Sequence, residues 1–146
     1  MQSLQYAFSD QPAEIQPFPP VRKHPADAGM DVCALRGGWI LPFSYRVFRT
    51  GLHFNIPAGY VLQAWPKSRH HWLMGAGIID SGYLGEVLIK VVNYGPWPVW
   101  VRAGQQIAQL VLIPVLTPVL EQIPLAELLA ARSERGSTGG ITGQNG

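Results

Sequence analysis

The sequence predicts an all-β chain of the jelly-roll-like sandwich or barrel type, on three observations. Gly (16) and Pro (13) make up about a fifth of the 146 residues, above ordinary usage. They fall between short apolar runs, with a turn signal roughly every eight to twelve residues. Leu52, Phe54 and Ile56 alternate with His53 and Asn55, which is the two-residue period of a half-buried strand.

The elements follow in order. Residues 1–26 carry Pro12, Pro17, Pro19, Pro20 and Pro25 and are expected to be irregular. Trp39 to Pro42 reads as a strand ending at the proline, and Val47 to Ile56 as strand-forming. Pro57-Ala58-Gly59 turns the chain into a strand from Tyr60 to Trp65. Gly95-Pro96 and Ala103-Gly104 flank a strand at Trp97 to Arg102, and Ile107 to Val115 is apolar enough to be buried on both faces. One helix is expected, Pro124 to Arg132, with Pro at its start and strong helix formers behind it. The Gly-rich stretch beyond Ser133 lacks core residues apart from Ile141. A chain of this length is expected to be one domain, divided here into a β domain over 1–134 and a mobile lid over 135–146.

Composition narrows the function. Hydrophobic residues at 47% and charged residues at 14% describe a globular chain. A net charge of +2 argues for neither nucleic acid nor an anionic membrane as partner. The single cysteine, Cys33, permits no internal disulfide and no Cys-based zinc site, and the four histidines lack ligand spacing. Neither a signal pattern nor a long apolar span is seen, so a soluble cytoplasmic protein is expected.

The most informative stretch is Gly77-Ile78-Ile79-Asp80-Ser81-Gly82-Tyr83-Leu84-Gly85-Glu86. Apolar residues lead into Asp80, and strand-type residues from Val87 to Val92 lead away, so strand, tight turn, strand is the economical reading. A carboxylate ending a buried strand is costly unless solvated or paired, which makes Asp80 a functional candidate. A solvated turn aspartate is the plainer alternative.

Further segments share its chemistry. Ala28-Gly29-Met30-Asp31-Val32, Pro66-Lys67-Ser68, the Asp80 segment, Gly104-Gln105-Gln106-Ile107-Ala108-Gln109-Leu110 and Arg135-Gly136 follow one another in the order of five motifs. In these the chain resembles the trimeric deoxyuridine triphosphatases, from about Ala28 to Thr142. The resemblance implies a β-clip fold, a homotrimer with shared sites, and Mg²⁺-dependent hydrolysis of dUTP to dUMP and pyrophosphate. Asp80 would orient the attacking water, a positioning task that supplies much of phosphoryl-transfer catalysis. Tyr83 would pack on the deoxyribose and exclude a 2′-hydroxyl. Backbone groups of Gly77, Ile78, Ile79 and the returning strand near Leu88 would read uracil. Asp31 would hold Mg²⁺-triphosphate through water, since magnesium takes few protein carboxylates.

Lys67, Ser68 and Arg69 would meet the phosphates, with Lys67 standing where the family usually has Arg and so losing the bidentate fork. Gln109, a polar residue in an apolar strand, is either a structural hydrogen-bond node or a phosphate ligand; the resemblance favours the ligand. Arg135 would reach the γ-phosphate. Gly140 and Ile141 stand where the family places a base-stacking aromatic, so weaker lid closure is expected. Ser68 to Asp80 is also shorter than the family pattern, with His70 to Met74 in place of a longer helix. Deoxycytidine triphosphate deaminases share this pattern, but their base would fall at Lys90 and their arginine at Trp72. A nucleotide-binding relative without turnover is the remaining alternative.

Overall fold

The structure is a computed structural model, describing residues 3–130. Ten strands precede one helix. They are β1 (Gln5–Phe8), β2 (Gly29–Cys33), β3 (Gly38–Ile40), β4 (Ser44–Arg49), β5 (Leu52–Asn55), β6 (Tyr60–Trp65), β7 (Gly77–Asp80), β8 (Leu88–Asn93), β9 (Val99–Val101) and β10 (Gln106–Pro114), followed by α1 (Leu125–Ala130). The all-β expectation holds. The compact unit ends at Leu116, and the segment from Thr117 forms a second unit whose helix buries none of its residues.

One four-stranded antiparallel sheet runs β2-β10-β6-β7, and three two-stranded sheets pair β1 with β5, β3 with β9 and β4 with β8. Alternation puts Leu52 and Phe54 in the core while Asn55 stays outside. Leu62, Ile89, Ile107 and Leu110 are wholly buried, each worth about 1.5–3 kcal/mol of burial. The side chains of Thr50 and Asn93, polar residues in the core, are satisfied. Thr50 Oγ1 donates to the Val87 carbonyl at 2.7 Å, and Asn93 Nδ2 donates to the carbonyls of Ile40 and Trp97.

Four expectations change. The N-terminal segment is not wholly irregular. Gln5–Phe8 pairs with β5, and Val21 bridges Asp31, because both stretches precede or avoid the prolines. The Val47–Ile56 run is two strands, broken where Gly51 takes a φ of 71°. The Gly77–Glu86 stretch joins two strands that do not pair with each other. β7 continues the sheet of β6 and β8 pairs with β4, so the turn crosses between sheets. Burial of β10 is strongest at Ile107, Ala108 and Leu110 and fades towards Pro114.

The short Ser68–Asp80 connection contains no helix. Leu73 exchanges both backbone hydrogen bonds with Val92 of β8, at 2.9 and 2.8 Å, and Trp72 drops into the core. One turn is strained. Phe43 sits at a φ of 51°, left-handed for a bulky side chain.

Candidate active site

β7 ends the four-stranded sheet, and among the described residues nothing pairs with its other edge. In an antiparallel pair every second residue turns its N–H and C=O away from the partner. β7 therefore offers backbone donors and acceptors on its open side, and β8, which among the described residues pairs only with β4 and the Leu73 bridge, does the same. Both line a cleft of about 230 Å³ bounded by Ile78, Ile79, Asp80, Tyr83, Glu86, Val87 and Leu88. Apolar walls with free backbone groups suit a flat heterocycle bearing its own donors and acceptors.

Asp80 closes β7 opposite Val61 and is exposed. Burial is thus not what marks it; its place on the cleft is. The Tyr83 N–H donates to the Asp80 carbonyl at 3.0 Å, which brings the ring back over the turn. The Tyr83 hydroxyl donates to the Glu86 carbonyl at 3.0 Å.

The loop beyond the turn is pinned to the β4–β5 corner. His53 Nδ1 lies 2.8 Å from the Leu84 carbonyl, so it carries the proton, and Nε2 is left to accept from the Ser9 hydroxyl at 2.8 Å. The Glu86 carboxylate accepts from Arg49 and from the Gly51 N–H. Burial alone would push this carboxyl up, but those hydrogen bonds and the Arg49 charge outweigh it and hold the carboxyl below its ordinary range. Glu86 and Val87 carry no site signal of their own in the sequence. The partners of Glu86 lie far away in sequence.

A second cleft, about 560 Å³, is lined by Val21, Lys23, Asp31, Lys67, Ser68, Arg69 and Gln106. Three cations against one carboxylate suit a polyanion. The Asp31 carboxylate is ion-paired to Lys67, whose Nζ also donates to Gln106 Oε1 at 3.0 Å. Lys23 and Val21 were not read as site residues, since the Val21 bridge to Asp31 brings that segment in. Gln109 lines neither cleft. Its Nε2 donates to the Pro66 carbonyl at 3.3 Å, which braces the Lys67 turn. A Cβ on Gly29 would stand 2.6 Å from Gln109 Oε1, so a side chain there would make the Gln109 amide shift.

Gly77 lies at the far end of β7, opposite Ala64, and does not line the first cleft. Arg135, Gly140 and Ile141 lie outside the described residues. No group of three or more His, Cys, Asp or Glu able to hold a metal occurs among the described residues. A lone carboxylate already paired to Lys67 does not make a resident metal site; it fits a cation carried in on phosphate oxygens.

The two clefts lie apart in one chain. Asp80 faces Val61 on β6, while Asp31 is opposite Gln109, which is opposite Trp65. Four residues along the strand and three strand spacings across put Asp31 and Asp80 on the order of 20 Å apart.

Similarity to known proteins agrees with this geometry. The dUTPase family model matches residues 18–142. A deoxyuridine 5'-triphosphate nucleotidohydrolase of Gloeobacter violaceus is 36% identical, covering 82% of this chain and 86% of its own. One from Anaeromyxobacter sp. is 39% identical, covering 80% and 82%. Among solved structures, the Staphylococcus bacteriophage 80alpha dUTPase G164S mutant with dUpNHpp superposes with a TM-score of 0.82 at 26% identity, covering 95% of this chain and 96% of that one. With its cleft between two open strand edges and most of its length matched, the chain belongs to the dUTPase family.

Proposed function

We propose that the protein hydrolyses dUTP to dUMP and pyrophosphate, keeping uracil out of DNA and supplying dUMP. The observation that carries this is the first cleft, where two open strand edges meet beside Asp80 and Tyr83. Backbone donors and acceptors would read the uracil edge, Tyr83 would lie against the sugar, and Asp80 would hold and deprotonate the water. A positioned carboxylate of this kind contributes about 10²–10⁴-fold. Relatives named as deoxyuridine 5'-triphosphate nucleotidohydrolases support the same chemistry.

The triphosphate would enter with its Mg²⁺ as part of the substrate, the metal offsetting phosphate charge. Lys67, Ser68 and Arg69 would bind phosphate oxygens, and Asp31 would accept from metal-bound water. Reaction requires these groups and the Asp80 water around one phosphorus, at contact distances of about 3–3.5 Å. The separation of the two clefts within a chain therefore supports a site shared between copies, one bringing Asp80 and another the phosphate cleft, and the family resemblance makes the assembly a homotrimer. Arg135 of the tail would complete the phosphate shell, with Gly140 and Ile141 over the base.

The test is to incubate the protein with each deoxynucleoside triphosphate and Mg²⁺ and quantify pyrophosphate and monophosphate. dUTP as the sole good substrate is expected; ammonia release from dCTP would make it a deaminase instead. Light scattering giving a mass near 16 kDa at micromolar concentration would sink the trimer.

A further inference from the structure

Tyr83 owes its position to Glu86. Its hydroxyl donates to the Glu86 carbonyl at 3.0 Å. Its ring lies so close to Gly85 that a Cβ there would stand 2.5 Å from the ring carbon Cζ. The Glu86 side chain, 14% exposed, accepts from Arg49 Nε at 2.9 Å and from the Gly51 N–H at 2.8 Å, with Arg49 Nη2 at 2.8 Å. One end of this residue thus sets the height of the phenol, and the other fastens it to the β4–β5 corner. Glu86 also lines the cleft itself.

We infer that Glu86 is a positioning residue for Tyr83, fixing the ring's distance from the sugar and so setting the discrimination between deoxyribose and ribose. This rests on the proposed reading of the first cleft as the nucleoside site. A ring free to retreat would leave room for a 2′-hydroxyl, and would also bind the deoxyribose less well. Thr50 provides the contrast. Its hydroxyl donates to the Val87 carbonyl and accepts from the Leu52 N–H, so it braces the same corner without any bond to Tyr83. A residue that only holds the corner together would behave like Thr50.

The experiment measures kcat and KM for dUTP and UTP, with melting temperatures, on the full chain and on Glu86→Gln, Arg49→Ala and Thr50→Val. Glu86→Gln keeps the side chain's size and one acceptor for Gly51, but presents an amide to a guanidinium. Its dUTP-to-UTP ratio of kcat/KM is expected to fall about tenfold or more, chiefly through a raised KM for dUTP, since misplacing a positioned group by a fraction of an ångström is enough. Arg49→Ala, which loosens the same carboxylate from the solvent side, should lower the ratio less and serves should Glu86→Gln not fold. Thr50→Val should melt earlier and keep the ratio. An unchanged ratio in both Glu86→Gln and Arg49→Ala, or an equal fall in Thr50→Val, overturns the inference. If the unaltered protein does not turn over dUTP, the nucleoside reading falls first and takes this one with it.

Discussion

The Lys67 ammonium rests on the Asp31 carboxylate and reaches Gln106 in the same step, so a cation and an acid from distant segments hold each other in the second cleft. Both side chains are mostly covered. Removing one leaves the other charged and poorly solvated. Lys67→Met should cost about 1–2 kcal/mol, between the values for exposed and buried pairs. Adding Asp31→Asn to Lys67→Met should recover part of that loss. Urea denaturation of the two single variants and the double checks the coupling, and simple additivity would deny it.

Asp80→Asn should lower kcat by about 10²–10⁴-fold, because an amide fills the space but cannot take a proton. Nucleotide affinity should stay within a few-fold, since the backbone groups of β7 and β8 remain. Isothermal titration with a non-hydrolysable dUTP analogue, alongside turnover, separates the two quantities.

Gly29→Ala should act at a distance. The new methyl displaces the Gln109 amide, which then releases the Pro66 carbonyl. A loss of about 1 kcal/mol follows from one hydrogen bond, together with weaker triphosphate binding as the Lys67 turn loosens. If the variant matches the parent in both denaturation and binding, Gln109 is not the brace.

His70 gives the protein an acid-sensitive element. Its ring stacks on Trp72 with centroids 4.0 Å apart. Burial, with the Lys67 charge adding, outweighs its hydrogen bond with the Gln106 backbone and lowers its pKa. A histidine lowered on folding contributes stability that is fully present above its unfolded pKa, about 6.5, and is lost as pH falls through the folded value beneath. Stability should drop between pH 7.5 and pH 5.5 in the parent and drop less in His70→Phe. Denaturant midpoints at both pH values decide it.

Phe43→Gly should stabilise the chain by about 0.5–1 kcal/mol, as relief of the left-handed backbone exceeds the added freedom of the unfolded chain. Phe43 is 75% exposed, so little packing is lost. A lowered melting temperature would contradict this.

The strands that could be read beforehand were those with local signals. Tyr60–Trp65 and the Ile107 run carry their apolar residues in sequence, and both appear close to the expected bounds. β1 could not be read because its only support is the distant β5, and the split at Gly51 is set by a single backbone angle. The site shows the same division. Asp80 and Tyr83 stand three residues apart in one segment and share one cleft. Gln109 is marked in the sequence as a polar residue in an apolar strand, but its partner Pro66, like Gly51 and Arg49 for Glu86, is brought near only by the folded chain.

The open edge of β7 carries a hazard as well as a chemistry. Unpaired amides and carbonyls in a row accept any extended chain, another copy's β7 among them, and such pairing is how folded proteins begin to aggregate. Asp80 sets a negative charge on that edge, and like charges keep two such edges from zipping together. A nucleotide lying in the cleft would cap the same groups. On this reading Asp80 would guard the edge as well as the reaction, and Asp80→Asn without nucleotide is expected to self-associate more than the parent.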